Sequence, residues 1–283
     1  MATLKKIKED LKLVGTIESI VEVFEEIANI RIQKIKEKVL KSRKMFEELL
    51  ACYQRVKGSY LAGVESGILK EAKLKERGGS CVVFLSANEL FYGGFIFQLW
   101  EKTKMLIKAK KPNCLVTIGS IGKSLISKEK FTFKTYAFEV EELSIREREI
   151  SQIVEILENY FPIFIVHGKY ERGFVQKVKI TEISEKRLPP PLEEMKTPEV
   201  YIFEPSVEEV LEFFEREIVK VLFLQTILEH HLAKLAARVS AMFQARENAK
   251  ALKKKLQVEE IKKKREILNK RQIELFGSHL LWK

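Results

Sequence analysis

Apolar residues recur at steps of three and four near both ends of this sequence. From Leu4 the row runs through Ile7, Leu11, Val14, Ile17, Val21, Phe24 and Ile27, then Ile32, Ile35, Val39, Phe46 and Leu49. Near the other end Val210, Phe214, Ile218, Val221, Leu224, Leu228, Leu232, Leu235, Val239 and Met242 repeat the spacing. Each row draws one stripe on an α-helix. Thr3 and Ser206 are candidate N-caps, the second with Glu209 as its capping-box partner. Lys57-Gly58 and Gly277 are candidate stops. All 7 prolines fall between Pro112 and Pro205, so neither helical pattern is broken. At about 1.5 Å per residue, helices over residues 1–58 and 206–276 would reach roughly 85 Å and 105 Å. The short stretch between cannot cover rods of that length. They must pair with each other, project into a partner, or both.

The middle of the chain changes period. Cys81-Val82-Val83-Phe84-Leu85, Cys114-Leu115-Val116-Thr117-Ile118 and Ile163-Phe164-Ile165-Val166 are short apolar runs, the pattern of buried strands. The stretches from Phe131 to Val140 and from Phe174 to Ile183 alternate, as half-exposed strands do. A helical pattern follows Gly93-Gly94 as far as Lys110. Another follows a Ser144–Glu147 capping box, from Ile145 to Tyr160. Strands interleaved with helices predict an α/β domain with a parallel or mixed sheet. Residues 184–200, with Pro189-Pro190-Pro191, read as an extended linker. The expected organisation is a helix over 1–58, an α/β domain with its linker over 59–205, and a second helix over 206–283.

Composition narrows the class. A chain of 283 residues that is 46% hydrophobic can bury a core. Its 32% charged fraction fits long solvated helices. A net charge of +11 suits an acidic partner or a solvated rod rich in lysine. Cys52, Cys81 and Cys114 form no CxxC and no disulfide framework, and Cys81 and Cys114 lie in apolar runs that predict buried thiols. The first residues have neither the apolar core of a signal peptide nor the look of a transit peptide. No run approaches the 18 or so apolar residues of a membrane span.

Candidate chemistry is sparse. Gly119-Ser120-Ile121-Gly122-Lys123-Ser124 ends like a phosphate-binding loop, but Thr117 stands where GxxxxGK[ST] needs its first glycine, so a strand-to-loop turn is the better reading. Ser120 and Lys123 form an SxxK with no supporting motif. His230 and His231 are neighbours and not an i, i+4 metal pair, and they are expected on a helix surface. No nucleophile–base set and no carboxylate pair assembles. The sequence predicts a non-catalytic component without metal or cofactor.

The two ends carry a resemblance. Ala236-Ala237-Arg238, Ala241-Met242, Ala245 and Asn248-Ala249, with Lys262 and Glu274 beyond, form an ordered set on the last helix. Ile7, Leu11, Val14, Ile20 and Ala28 near the start, and Tyr201-Ile202-Phe203-Glu204-Pro205 before the last helix, extend it. Together they resemble the gamma subunit of F-type ATP synthases over nearly the full chain. The middle departs from that family. Its Ser-Asp-Arg-Gly-Leu-Cys-Gly-Gly is Ala87-Asn88-Glu89-Leu90-Phe91-Tyr92-Gly93-Gly94 here. Its Gly-Arg-Lys-Gly is Gly119-Ser120-Ile121-Gly122, and its Lys-Ile-Thr-Lys is Ser19-Ile20-Val21-Glu22.

The resemblance implies an antiparallel coiled coil of the terminal helices with a small Rossmann-like α/β domain. It implies a rotor shaft that couples ion flow through a membrane c-ring to ATP synthesis or hydrolysis in an alpha/beta hexamer. Alpha, beta, epsilon and the c-ring would be its partners. By position, Phe24, Glu204, Arg238, Arg265, Asn269 and Glu274 become candidate coupling residues, and Gly93, Gly94, Gly119 and Gly122 keep the foot-domain motif. Two alternatives stand beside this reading. One is a gamma-like rotor in an ATPase specialised for work other than ion pumping. The other is a basic coiled-coil scaffold or nucleic-acid-binding protein, permitted by the lysines near 253–265 but without the interleaved aromatics that stack bases.

Overall fold

The structure, a computed structural model, describes residues 3–65, 78–140, 147–171, 175–183, 202 and 204–280. Its elements in chain order are α1 Leu4–Glu65, β1 Cys81–Leu85, α2 Phe95–Lys110, β2 Cys114–Ile118, α3 Ser120–Ile126, β3 Lys134–Phe138, α4 Glu147–Leu157, β4 Ile163–Tyr170, β5 Gln176–Ile183 and α5 Val207–Leu280. The chain divides into two compact units. One comprises Met1–Ile30 and Arg238–Lys283, the other Arg31–Ala237.

The Arg31–Ala237 unit is built on a five-stranded sheet of order β3-β2-β1-β4-β5. β1 pairs in parallel with β2 and β4, and β2 with β3; only β5 is antiparallel, against β4. Alternate side chains of each strand face opposite sides. Val82, Phe84, Leu115 and Phe164 pack with Phe95, Leu99 and Trp100 of α2. Cys81, Val83, Cys114, Val116 and Ile165 pack with Ile153 and Leu157 of α4 and with Val219, Phe223 and Ile227 of α5. Coverage of both faces explains why the three central strands are unbroken apolar runs. Cys81 and Cys114 are buried, and Cys52 is exposed. α1 covers α5 from another side, with Tyr53, Leu211 and Ile218 at the centre of that contact. Arg43 and Glu229 add an ion pair at 3.1 Å.

The Met1–Ile30 and Arg238–Lys283 unit is a helix pair. Glu18 meets Lys253 at 2.7 Å and Glu25 meets Arg246 at 2.9 Å. A step of seven up α1 is matched by a step of seven down α5, which defines an antiparallel pair with a heptad repeat. Ile7, Val14, Val21 and Ala28 are the buried row of α1, and Met242 and Ala249 belong to the row on α5.

Several local expectations change. Ser206 caps α5 as predicted, accepting from the Glu209 N–H at 3.2 Å, and the Lys6 N–H meets Thr3 Oγ1 at 3.4 Å. α1 runs through Gly58 to Glu65, because Tyr53, Val56 and Tyr60 stay packed on the α5 cluster. That packing outweighs a glycine penalty of about 1 kcal/mol. α5 likewise passes Gly277 and ends at Leu280. β4 continues through His167 and Gly168, which pair with Lys179 and Val178 of β5. The Ser144 capping box and the linker over 184–200 lie outside the described residues.

Candidate functional site

In an open, doubly wound sheet the usual ligand site is the crevice beyond the carboxyl ends of the strands, where the connections reverse direction. Here that point lies between β1 and β4. α5 fills it. Val219, Phe223 and Ile227 pack with one face of the sheet, whereas Ala233 and Ala237 pack with the other. The helix therefore passes the strand ends between Ile227 and Ala233, and His230 sits at the passage. Its Nδ1 accepts the Gly168 N–H at 3.0 Å, and its Nε2 donates to the Ser86 carbonyl at 2.9 Å. One turn on, Lys234 Nζ donates to the same carbonyl at 3.3 Å and lies 5.7 Å from the Tyr92 ring centre.

His230 and His231 are thus buried and not on a helix surface, which corrects the sequence expectation. The reason is that α5 is buried almost all round between Thr226 and Ala237, with only Glu229 partly exposed. A stripe pattern identifies one covered face and cannot show that the polar face is covered too. Burial holds His230 well below its ordinary 6.5, aided by the positive charge of Lys234. Burial also lowers His167 to about 4, with Nε2 2.8 Å from Thr181 Oγ1. A cavity of about 20 Å³ lies beside the crossing, lined by Ser86, Asn88, Gly119, His230 and Lys234 among others. It has room for one water. Ser86 Oγ is buried without a partner among the described residues.

Gly119 and Gly122 are used for close approach. Gly119 has φ 112°, and a Cβ on it would meet the Ala87 backbone at 2.7 Å; one on Gly122 would lie 2.8 Å from Ser86 Cβ. They seat α3 on the ends of β1 and β2. The Ser120 N–H, which a phosphate loop would aim at its ligand, donates instead to Asn88 Oδ1 at 3.0 Å. Gly93 adopts φ 57° before α2, and Gly94 is the residue that caps that helix. Glu89 pairs with Arg31 at 3.8 Å.

The candidate coupling residues fall into different environments. Arg238 is 2% exposed, so it is not on the solvated or partner-facing surface expected of it. Arg265, Asn269 and Glu274 are exposed, in a stretch of α5 exposed at every residue from Lys264 to Phe276. Glu204 is exposed just before α5. Phe24 is half-buried and lines a shallow depression with Ser19, Ile20 and Val23. Ile17 and Ile27, predicted with Phe24 on the covered stripe, are 42% and 38% exposed. The covered row follows the strict heptad of Ile7, Val14, Val21 and Ala28. Leu13, Ile17, Ile20 and Ile27 form a second, exposed row, and half-buried Phe24 lies along it.

The missed feature is the His230 crossing. Ile227 to Val239 carries Glu229, His230, His231, Lys234 and Arg238 among apolar residues, and that spacing alone does not separate a covered polar face from a solvated one.

The switch-point crevice is closed by the protein's own helix, and the same helix runs on through a heptad pairing with α1 to an exposed end, so the chain is an α/β domain carried on long helices. A family model described as ATP synthase matches residues 3–267. The ATP synthase gamma chain of Dictyoglomus thermophilum is 26% identical over 267 residues, covering 90% of this chain and 89% of its own. That of Cytophaga hutchinsonii is 22% identical and covers 98% of each chain. A central-stalk chain of the Tetrahymena thermophila mitochondrial ATP synthase has the same fold, with a TM-score of 0.56 at 14% identity, over 80% of this chain and 99% of that one. The chain belongs to the ATP synthase gamma-chain family.

Proposed function

We propose that this chain is the central rotor shaft of an F-type ATP synthase, a non-catalytic subunit of a rotary ATPase. It couples ion flow through the membrane c-ring to ATP synthesis or hydrolysis in the alpha/beta hexamer. The observation that carries this reading is the change along α5. The helix is enclosed from Thr226 to Ala237, paired with α1 beyond that, and exposed from Lys264 to Phe276. A helix end that bears many charges and stands uncovered suits a bearing, because deep apolar contacts would hold one angle too tightly. Torque then requires that the shaft make different contacts with each catalytic site at each angle. Arg265, Asn269 and Glu274 on the uncovered end, and half-buried Phe24 beside the exposed row of α1, are the groups offered for such contacts. Arg238, buried on α5, remains a coupling candidate that would act from within the shaft. Glu204 marks the base of the shaft.

The partners are alpha and beta around the shaft, and epsilon and the c-ring at the foot. No helix among the described residues is long and apolar enough to cross a membrane. Attachment to the cytoplasmic face of a bacterial membrane would run through the c-ring. The test is co-purification with alpha and beta at moderate salt. A stoichiometric, ATP-hydrolysing complex is expected. Failure to assemble, together with steeply salt-dependent DNA binding, would return the chain to the scaffold reading.

A specialised rotor is the second reading, favoured by one observation. Glu89, where the family carries Arg, is tied to Arg31 and removes a basic group from the foot. ATP-driven ion pumping in reconstituted vesicles excludes it, whereas hydrolysis without pumping supports it.

A further inference from the structure

We propose that His230 and Lys234 are a polar latch that locks the α/β domain to the shaft helix for torque transmission, and that the latch holds only while His230 is neutral. The role in torque rests on the rotor reading; the latch itself does not.

His230 is the residue at which α5 passes the strand ends, and it bonds two chain segments at once: Ser86, just after β1, and Gly168, within β4. β1 and β4 are adjacent strands. A turning force between helix and sheet would first shear this crossing. Apolar packing resists separation but is non-directional, so it resists sliding poorly. Hydrogen bonds from one rigid ring to two backbone groups are directional and fix register. The approach is also close. A Cβ on Gly168 would lie 2.7 Å from Ala233 Cβ and 2.6 Å from Phe95 Cζ, so only glycine lets β4 and α5 come near enough for the imidazole to reach.

The proton requirement follows from the bonds. Nδ1 accepts an N–H and must be unprotonated, while Nε2 faces a carbonyl and must carry the proton. A second proton would set N–H against N–H at Gly168. Burial is the main resistance to that proton, nearby positive groups add to it, and the Ser86 carbonyl works against it. On α5 those groups are Lys234 and His231, and on β4 His167, which itself faces Glu229, Lys169 and Lys179. Tyr92, ahead of α2, faces Lys234. Ser86, at the end of β1, brings no charge.

Two variants separate the latch from simple packing. His230→Ala removes both bonds. His230→Gln can offer an amide oxygen to Gly168 and an amide N–H to Ser86, and cannot titrate. In the free full-length chain, hydrogen exchange of the Gly168 amide reads the latch directly. Exchange should rise tenfold or more in His230→Ala, with the Ile165 amide unchanged, and return near wild type in His230→Gln. After correction for intrinsic rates, acid should reduce Gly168 protection in wild type and not in His230→Gln. Equal Gly168 protection in wild type and His230→Ala, or the same acid loss in wild type and His230→Gln, would overturn the latch. In the assembled complex, His230→Ala should keep ATP hydrolysis within twofold and lower rotation torque against load several-fold, with rescue by His230→Gln. Unchanged torque in an assembled His230→Ala complex would overturn its part in transmission. A wild-type chain that is latched by exchange yet never assembles with alpha and beta would reject the rotor reading and leave the latch standing.

Discussion

One helix, α5, serves two environments by opposite means. Between Thr226 and Ala237 it is buried nearly all round, and its polar groups, His230 and Lys234, bond backbone atoms of the sheet. Between Arg238 and Lys263 it alternates apolar rows with ion pairs such as Arg246–Glu25 and Lys253–Glu18. Beyond Lys263 it is exposed. The buried segment has one geometry, fixed by close approach and directional bonds. The outer segment has contacts that can be exchanged for others at little cost, since solvent-accessible ion pairs contribute about 0–1 kcal/mol each. A shaft needs both: one end held fast and one end able to turn.

The largest effect should come from the buried side. Phe223 is fully buried between sheet and helix. Phe223→Ala should destabilise the Arg31–Ala237 unit by about 3–5 kcal/mol, read by denaturant unfolding followed with a probe in that unit. A loss as small as that of a surface substitution would break the contrast.

Acid should act on the same unit next. His167 is kept neutral by burial, down to about 4 from an ordinary 6.5. The unfolded chain takes up a proton below 6.5 that the folded chain refuses. The stabilisation is therefore complete above pH 6.5 and is lost as the pH falls from there through about 4, in total roughly 3 kcal/mol. Stability measured at pH 7 and pH 4, with His167→Gln as the control, checks both sign and size.

Gly168→Val should cost about 1–3 kcal/mol by overpacking against Phe95 and Ala233. Thermal melting measures it, and an unshifted melt would mean that the close approach is not required.

On the outer segment the expectation reverses. Phe24→Ala and Arg265→Ala should leave melting of the free chain nearly unchanged and lower ATP hydrolysis by the assembled complex. A large loss of stability in the free chain would make them structural. Smallest of all, Lys253→Gln should leave melting unchanged at physiological salt. Its visible trace is in the titration of Glu18, whose carboxyl the Lys253 hydrogen bond holds below its ordinary 4.5. That pairing is present above pH 4.5 and fades as the pH falls through the lowered value, and the variant should bring the Glu18 titration back towards 4.5.

The contrast also explains what was legible in the sequence. The long helices and the three buried strands followed from periodicity, because apolar spacing is set directly by which face is covered, whereas the sheet was expected only to be parallel or mixed. The small-residue set from Ala236 to Ala249 identified the family. The crossing at His230 was not legible, because a polar residue inside an enclosed helix looks like one on a solvated face until the covering layers are known. The burial of Arg238 was hidden in the same way. Ile17 and Ile27 were misplaced for a different reason: steps of three and four fit two adjacent rows on α1, and only the partner helix selects the heptad of Ile7, Val14, Val21 and Ala28. The helix end at Gly58 was overridden by the packing of Tyr60, which acts at a distance that local chain chemistry does not register.

The most direct measurement of the central claim is rotation itself. Cys52 is the exposed thiol, whereas Cys81 and Cys114 are buried, so a bead can be attached at Cys52 with the alpha/beta hexamer immobilised. On addition of ATP the bead should turn continuously in one direction. A complex that hydrolyses ATP while the bead stays fixed, or merely fluctuates, would contradict the account.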